Sequence, residues 1–318
     1  MAKLSAECPS VNERLRAAQA AWRNFARVCR SNRAIRTGML CARFFGTSDL
    51  RLFFLLLACL AACLPAAAVE LRELGKFTTR DGAHVPYRAI VTPGRRHDER
   101  VALVIFLHGD WQDGSNNESQ LAGYGNGSLE LVDAAKKAHL PLVYVAPQVE
   151  RAYWPPKRVA AVVRDVLARF PVDAKRIYLT GISDGGTGVW DSLKAWPECF
   201  AAGVPMSGMT EIAGLASIRD VPEWIFHGAK DNDTDIEKGY NGAMVGSRAV
   251  VRALREMGGA PRYTEYPNEQ HVIWQHAYAT PGLLPWLLDQ RLAGESCDFS
   301  HLPQTGATAR LGAGAKSR

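Results

Sequence analysis

Strand-like and helix-like segments alternate along the chain from residue 69 onward, and this alternation limits the possible folds more than any other feature. The continuous apolar run at residues 101–107 is typical of a strand that is covered on both faces of its sheet. Residues 156–169 place valines along one stripe of a helix. This order predicts an α/β fold with a mostly parallel central sheet, helices on both faces and functional residues at the carboxyl ends of the strands.

The bounds of these segments follow from the apolar runs and the turn residues between them. The predicted strands cover residues 69–79, 83–92, 101–107, 142–146, 176–180, 202–206, 221–226 and 262–266, and the predicted helices cover residues 129–137, 156–169, 187–195, 246–257 and 283–292. The short connection between residues 206 and 221 predicts that there is no large lid domain. The longer segment at residues 110–128 is rich in Gly and Asn, and we expect it to form part of the rim of a cleft.

Three regions of the 318-residue chain differ in composition. Residues 1–68 form a basic presegment with 10 Lys+Arg and 3 Asp+Glu, residues 69–293 form the predicted α/β domain, and residues 294–318 form a polar tail that we expect to be loose. Beyond the presegment, 28 basic and 29 acidic residues nearly balance. The overall net charge of +6 therefore gives no reason to expect a nucleic-acid partner.

The presegment carries a predicted export signal. Arg51 precedes an apolar run at residues 52–64, which suits a signal h-region and is too short to span a bilayer, and residues 66–68 offer an A-x-A cleavage site. We therefore expect a periplasmic or secreted protein. Residues 60–63 also resemble a lipobox, so a lipoprotein anchored through Cys63 is the alternative, and only in that case do we expect a membrane partner. The sequence leaves both Met1 and Met39 as possible starts of translation.

Two cysteines, Cys199 and Cys297, follow the presegment, which holds the other five. In an oxidising compartment these two either pair or remain separate thiols, and the sequence does not decide between these states. The sequence contains no C-x-x-C motif and no His/Cys cluster. We therefore expect neither a metal nor another cofactor.

A serine lies in a G-x-S-x-G sequence at residues 181–185, directly after one predicted strand and before a helix-like stretch. A strand–turn–helix of this kind holds its serine in a strained turn that exposes the hydroxyl above the sheet edge. The flanking positions need glycine because a side chain there collides with a neighbouring strand or helix. We therefore predict that Ser183 is a nucleophile; the alternative is a serine in an ordinary tight turn.

An acid and a histidine follow this serine in the chain, each just after its own predicted strand. A serine hydroxyl is weakly nucleophilic until a base removes its proton, and His271 is the predicted general base and acid. Asp231 is the predicted orienting acid, with Asp233 as the reserve. The order Ser…Asp…His is that of α/β-hydrolase catalytic triads.

Two backbone N–H donors are needed to stabilise the oxyanion that forms when a serine attacks a carbonyl group. We predict that they come from Asp184, which follows the nucleophile, and from Asp110, which follows the His108-Gly109 pair. Trp111 is the second choice for the latter donor. It is also the residue that we predict to line the substrate pocket.

Five motifs together resemble the α/β-hydrolase superfamily, and within it the phospholipase/carboxylesterase and dienelactone-hydrolase-like group, which includes secreted esterases and predicted peptidases. The motifs lie at residues 106–109, 179–186, 204–208, 226–231 and 263–267 followed by His271. The resemblance covers residues 71–292 and favours Asp231 through its H-G-x-x-D spacing. It implies structural roles for His108 and His227. Gln270 departs from the glycine that the family often has before its histidine, whereas Trp274 fits the family's H-x-x-W pattern.

The resemblance implies a serine hydrolase that cleaves carboxylic esters through an acyl-enzyme, with a small-molecule or polymer-borne ester as substrate, and the predicted signal implies that it is exported. A serine peptidase of the prolyl-oligopeptidase-like type is the alternative within the same chemistry. A non-catalytic binding protein on a hydrolase scaffold is the alternative outside it. The sequence specifies neither the acyl chain nor the oligomeric state.

Overall fold

The computed structural model describes residues 75–92, 99–122, 126–151, 153–240 and 243–299, all within one compact unit. The predicted export signal, the lipidation site at Cys63 and the two possible starting methionines lie outside the described residues. Within the described ranges, no helix combines the length and the apolar character that crossing a membrane requires.

An eight-stranded sheet forms the centre of the described unit, and a two-residue pair of strands lies outside it. In chain order the strands are β1 (Gly75–Thr78), β2 (Pro86–Val91), β3 (Val101–Leu107), β4 (Leu142–Pro147), β5 (Val172–Ile182), β6 (Ala202–Met206), β7 (Met209–Thr210), β8 (Trp224–Gly228), β9 (Val245–Gly246) and β10 (Arg262–Tyr266). The order across the large sheet is β1-β2-β4-β3-β5-β6-β8-β10, and β7 pairs with β9. The β1–β2 and β2–β4 pairs are antiparallel, and the other pairs of the large sheet are parallel, so the prediction of a mostly parallel sheet is confirmed.

Helices cover both faces of this sheet, as predicted. They are α1 (Leu129–Lys137), α2 (Pro156–Arg169), α3 (Asp184–Ala195), α4 (Ser247–Glu256), α5 (Trp274–Tyr278) and α6 (Leu283–Asp289). Alternate residues of β3 enter opposite cores: Leu103 and Ile105 pack with α2, α3 and α4, whereas Val104 and Phe106 pack with α1, α5 and α6. Every residue of β3 is buried for this reason, which explains its unbroken apolar sequence.

The register of the parallel strands brings their carboxyl ends to one edge of the sheet. Adjacent strands pair near these ends through Leu107 with Gly181, Ile182 with Met206, Met206 with Phe226, and Gly228 with Tyr266. The loops that follow β3, β5, β6, β8 and β10 therefore begin side by side. This is the edge at which open α/β sheets bind their ligands.

The chain just after residue 293 is held in place, contrary to the expectation of a loose tail from residue 294. Cys297 forms a disulfide with Cys199 across a Cα–Cα distance of 4.8 Å, which decides the pairing that the sequence left open. Phe299 is 2% exposed and packs edge-on against Phe200, with ring centroids 5.9 Å apart. The expectation is therefore wrong for residues 294–299, because the sequence did not show their two contacts with the core; residues 300–318 lie outside the described residues.

Candidate active site

Ser183 occupies the sharp turn between β5 and α3, with φ 54° and ψ −120°. A non-glycine residue rarely adopts a positive φ, so the surrounding structure must enforce it. Two glycines permit the turn: a Cβ on Gly181 would overlap the backbone of Gly185, and a Cβ on Gly185 would overlap the carbonyl group of Leu107. The G-x-S-x-G sequence is thus explained by the close contact of helix, turn and neighbouring strand.

The structure brings the three predicted catalytic side chains into one hydrogen-bonded row. The distance from Nε2 of His271 to Oγ of Ser183 is 2.8 Å, and Nδ1 of His271 lies 2.7 Å from Oδ2 of Asp231. The histidine is 5% exposed and the aspartate 6% exposed, so water is largely excluded from the row. Each residue lies just beyond the carboxyl end of its strand, as the register requires.

The carboxylate of Asp231 accepts four hydrogen bonds. Oδ1 accepts the backbone N–H groups of Asp233 and Thr234 at 2.9 and 2.8 Å. Oδ2 accepts from the ring of His271 and, at 3.0 Å, from Nε2 of His227. Burial opposes ionisation of this group, but the hydrogen bonds from the two imidazoles outweigh it and hold the pKa of Asp231 below its usual value. Asp231 is therefore a carboxylate at neutral pH.

Two other histidines and the reserve acid have different environments. His108 is fully buried, where its ring contacts the carbonyl oxygen of Gly109 and the backbone N–H of Val149, and burial lowers its pKa to about 4. His276 has a 66% exposed side chain. The reserve acid Asp233 contributes its backbone N–H to Asp231, and the structure places Asp231 against His271.

The two predicted oxyanion donors border the same cavity as Ser183. Asp184 is the first residue of α3, and Asp110 is the first residue of the 3-10 helix Asp110–Gln112. Backbone N–H groups in the first turn of a helix have no acceptor within that helix. Both are therefore suited to donate to an oxyanion at Ser183.

A cavity of about 470 Å³ opens above Ser183. Its apolar wall includes Ile182, Met209, Trp274 and two exposed aromatic residues, Trp111 (64% exposed) and Tyr240 (77% exposed). Its polar wall includes Asp110, Asp184, Asp233 and Thr234. Trp111 thus borders the cavity, and its contact with substrate stays a prediction. Among the described residues of the Gly- and Asn-rich segment, only residues 110–112 border the cavity, whereas Asn117 and Gln120 are buried.

Three polar residues support the site, and of these only His227 was expected from the sequence to have a structural role. Ser207 is fully buried at φ 46°, and its hydroxyl donates to the backbone carbonyl oxygen of His271 at 3.0 Å. His227 contacts Asp231, and Ser247 in turn contacts His227 at 2.7 Å. The signal for His227 was present as the H-G-x-x-D motif, but its side-chain contacts depend on tertiary structure.

The chemistry of the row needs no metal, and no cluster of three or more His, Cys, Asp or Glu residues suited to a metal ion occurs within the described ranges. The arrangement consists of a hydroxyl, an imidazole and a carboxylate in sequence. Such a row makes a serine hydroxyl nucleophilic, because the imidazole accepts its proton and the carboxylate stabilises the resulting imidazolium.

No family model matches the chain, and no curated protein matches it in sequence. Solved structures do match. A thermostable esterase is 30% identical with a TM-score of 0.61, over 69% of this chain and 63% of that one. Dipeptidyl peptidase 4 of Porphyromonas gingivalis is 14% identical with a TM-score of 0.52, over 69% of this chain and 35% of that one. Acylaminoacyl peptidase of Pyrococcus horikoshii is 14% identical with a TM-score of 0.50, over 71% of this chain and 43% of that one.

At these identities the two peptidases show the fold alone, whereas the esterase also shares sequence with this chain. The chain spans less than two thirds of the length of each of these three structures. The sheet order, the strained serine turn at the end of β5 and the similarity to these structures agree with one another. The chain belongs to the α/β-hydrolase superfamily.

Proposed function

We propose that this protein is a serine hydrolase that cleaves carboxylic esters, with Ser183 as nucleophile, His271 as general base and acid, and Asp231 as orienting acid. One observation carries the proposal: the 2.8 and 2.7 Å contacts that join these side chains in a row, of which Ser183 and His271 border the cavity. The similarity to a thermostable esterase at 30% identity supports ester substrates over other acyl compounds.

The proton positions follow from the partners. Asp231 is ionised and only accepts, so Nδ1 of His271 carries the proton that it donates to Oδ2. Nε2 is then free to accept the hydroxyl proton of Ser183. When Ser183 attacks the ester carbonyl carbon, that proton moves to Nε2 and His271 becomes an imidazolium beside the carboxylate.

The negative charge of the tetrahedral intermediate develops on the former carbonyl oxygen, which the backbone N–H groups of Asp184 and Asp110 stabilise. Collapse of the intermediate breaks the ester C–O bond, and the alcohol leaves with the proton from Nε2 of His271. Water then attacks the acyl-enzyme with His271 as base. The carboxylic acid departs and the Ser183 hydroxyl is restored.

Export to an oxidising compartment is the second part of the proposal. The Cys199–Cys297 disulfide supports it, because disulfides persist in secreted and periplasmic proteins and are rare in the cytosol. The presegment signal at residues 52–64 supports it from the sequence, with lipidation at Cys63 as the alternative route. We propose a small-molecule or polymer-borne ester as the partner and no nucleic acid.

Hydrolysis of p-nitrophenyl esters of several acyl lengths, beside aminoacyl p-nitroanilides, tests the proposal. We expect ester turnover and fluorophosphonate labelling in the wild type, and the loss of both in Ser183→Ala. Ser217→Ala is the matched control, because Ser217 is exposed and donates only to the carbonyl of Gly214.

Equal ester turnover by wild type and Ser183→Ala would exclude catalysis by this serine. Faster cleavage of the anilides than of the esters would favour the peptidase. Absence of both turnover and labelling in folded wild type would favour a non-catalytic binding protein.

A further inference from the structure

His227 is a fully buried histidine that the mechanism above does not use. It lies near the end of β8, and its ring contacts both Asp231 and Ser247, the first residue of α4. Nε2 lies 3.0 Å from Oδ2 of Asp231 and 3.0 Å from the carbonyl oxygen of Thr234, and Nδ1 lies 2.7 Å from Oγ of Ser247. Both ring nitrogens therefore have partners inside the protein.

The partners determine the protonation of this ring. The two atoms that face Nε2 are a carboxylate oxygen and a carbonyl oxygen, which only accept, so Nε2 carries a proton. The hydroxyl of Ser247 can donate, so the Nδ1 atom of a neutral ring accepts a hydrogen bond from it. His227 is thus held as the tautomer that donates to the carboxylate.

We propose that His227 is a positioning residue, which acts through Asp231 to set the orientation and the basicity of His271. This inference rests on the proposed function. Oδ1 of Asp231 is fixed by two backbone N–H groups, and Oδ2 is shared between the two imidazoles. With four donors the carboxylate has one favourable orientation, and in it Oδ2 points at His271.

The second imidazole also changes how much charge Asp231 offers. Two N–H groups share the negative charge of this one oxygen. His271 therefore donates to a weaker acceptor than it would if His227 did not also donate to Asp231. Loss of the His227 donor should leave more charge for the imidazolium of His271, which raises the pKa of that ring. The same loss should let the carboxylate adopt further orientations, which lowers the rate.

Other charges near the two rings stay the same in this comparison. Asp231, Asp235 and Glu265 act electrostatically on His227, and the charge of Glu265 is balanced by Arg248. Asp184 and Asp231 act electrostatically on His271, and Asp233 and Glu269 border a surface pocket with it. Variants of His227 leave all of these groups in place. A change in the pH dependence of kcat/KM is therefore caused by the loss of the imidazole ring of His227.

Three variants separate positioning from a merely structural role. His227→Leu removes the donor, and His227→Gln keeps an amide N–H that can reach Asp231. Ser247→Ala keeps the ring but removes the hydroxyl that contacts its Nδ1. For each variant, kcat, KM and the pH dependence of kcat/KM are measured per active site, titrated with a fluorophosphonate. The pKa of the His271 ring is followed by NMR in the same proteins.

We expect His227→Leu to lower kcat by about tenfold or more with KM nearly unchanged, since His227 does not border the cavity. We expect the acidic limb of its profile and the NMR pKa of His271 to move to higher pH. His227→Gln should retain most of the activity and the wild-type midpoint. Ser247→Ala should fall between the two.

If His227→Leu has the wild-type kcat per titrated site, the inference is wrong. It is also wrong if the midpoint of the pH profile is unchanged and kcat falls equally in the Leu and Gln variants. If His227→Leu does not fold, the comparison of His227→Gln and Ser247→Ala with wild type decides by the same readouts. If wild-type protein shows neither turnover nor labelling, the proposed function fails. The NMR pKa of His271 in the variants still decides whether His227 acts on it.

Discussion

Gly228 packs directly against the carbonyl oxygen of Gln270, so closely that a Cβ at residue 228 would overlap that oxygen. The contact joins the end of β8 to the loop that carries His271. Nearby, the backbone N–H of Lys230 donates to the carbonyl oxygen of Glu269 at 2.9 Å. The loops that carry the acid and the histidine are therefore joined through their backbones, and the 2.7 Å contact of Asp231 with His271 depends on this joint.

Gly228→Ala should impair catalysis more than folding. The added methyl group meets backbone atoms that cannot rotate away, so the two loops must separate, at a cost of about 1–3 kcal/mol. We expect a lower kcat and slower fluorophosphonate labelling of Ser183. Gly294→Ala is the control, because a Cβ at residue 294 meets open space. Equal kcat in both variants would show that the loop contact does not hold the site.

Strand and helix periodicity alone located much of this fold. The bounds of β3 and α2 match the prediction because one is an unbroken apolar run and the other an apolar stripe. The bounds of α3 do not match: the helix begins at Asp184 instead of residue 187, because the strained serine turn starts it in spite of its glycines. The two-residue strands β7 and β9 escaped prediction because so short a pair has no periodicity.

The candidate site likewise has one part that the sequence could predict and another part that it could not. The grouping of Ser183, Asp231 and His271 could be predicted because each follows a strand, and parallel strands end at one edge. The supporting contacts of His227 and Ser207 could not be predicted, because they depend on side-chain directions after the strands have paired. The expectation of a loose tail failed for a related reason, as the sequence gives no distance between distant cysteines.

Asp231→Asn should abolish most of the activity with little loss of fold. The backbone N–H groups of Asp233 and Thr234 select the amide oxygen, which turns the NH₂ group toward His271 and His227. His271 must then accept at Nδ1 and carry its proton on Nε2, where it cannot accept from Ser183. We expect kcat to fall by about a thousandfold or more. Asp233→Asn is the control, and an equal loss there would reassign the acid.

Glu223 should make the protein less stable as the pH rises. This carboxyl group is 2% exposed; Oε2 accepts from Trp190 at 2.7 Å, whereas Oε1 has no hydrogen-bond partner. Burial raises the pKa of Glu223 to about 8. The folded protein thus binds a proton that the unfolded chain has already released, so the contribution of Glu223 to stability is greatest below the unfolded pKa of about 4.5 and declines until the pH passes 8.

Glu223→Gln removes this titration and should flatten the decline. We expect the variant to gain stability over wild type by a few kcal/mol on going from pH 4 to pH 9. Urea unfolding at several pH values measures the difference. If the free energy of unfolding changes equally with pH in the two proteins, Glu223 does not titrate between pH 4 and pH 9.

Reduction of the Cys199–Cys297 disulfide should lower stability without changing the chemistry. The bond joins residues 98 positions apart, and such cross-links contribute about 2–4 kcal/mol. Dithiothreitol should lower the midpoint of urea unfolding of wild type and leave that of Cys297→Ala unchanged. Neither cysteine borders the cavity, so fluorophosphonate labelling of folded protein should persist after reduction. If dithiothreitol does not change the midpoint of urea unfolding of the wild type, the prediction is wrong.

The charge around Ser183 should select against anionic esters. Asp110, Asp184 and Asp233 border the cavity, and none of the described residues that border it is Lys or Arg. A carboxylate about 8 Å from each of them meets roughly 0.5 kcal/mol of repulsion per charge in water, which together amounts to about tenfold in rate. We therefore expect a lower kcat/KM for a succinate half-ester than for a neutral ester of equal length, with a gap that narrows at high salt.

Asp110→Asn identifies the source of this selectivity, because it removes one charge and keeps the backbone N–H that is proposed to bind the oxyanion. In this variant we expect kcat/KM for the half-ester to rise relative to kcat/KM for the neutral ester. Asp220→Asn, at an 82% exposed side chain that does not border the cavity, should leave the ratio unchanged. Equal ratios in all three proteins at low salt would mean that the substrate approaches Ser183 by a path these carboxylates do not face.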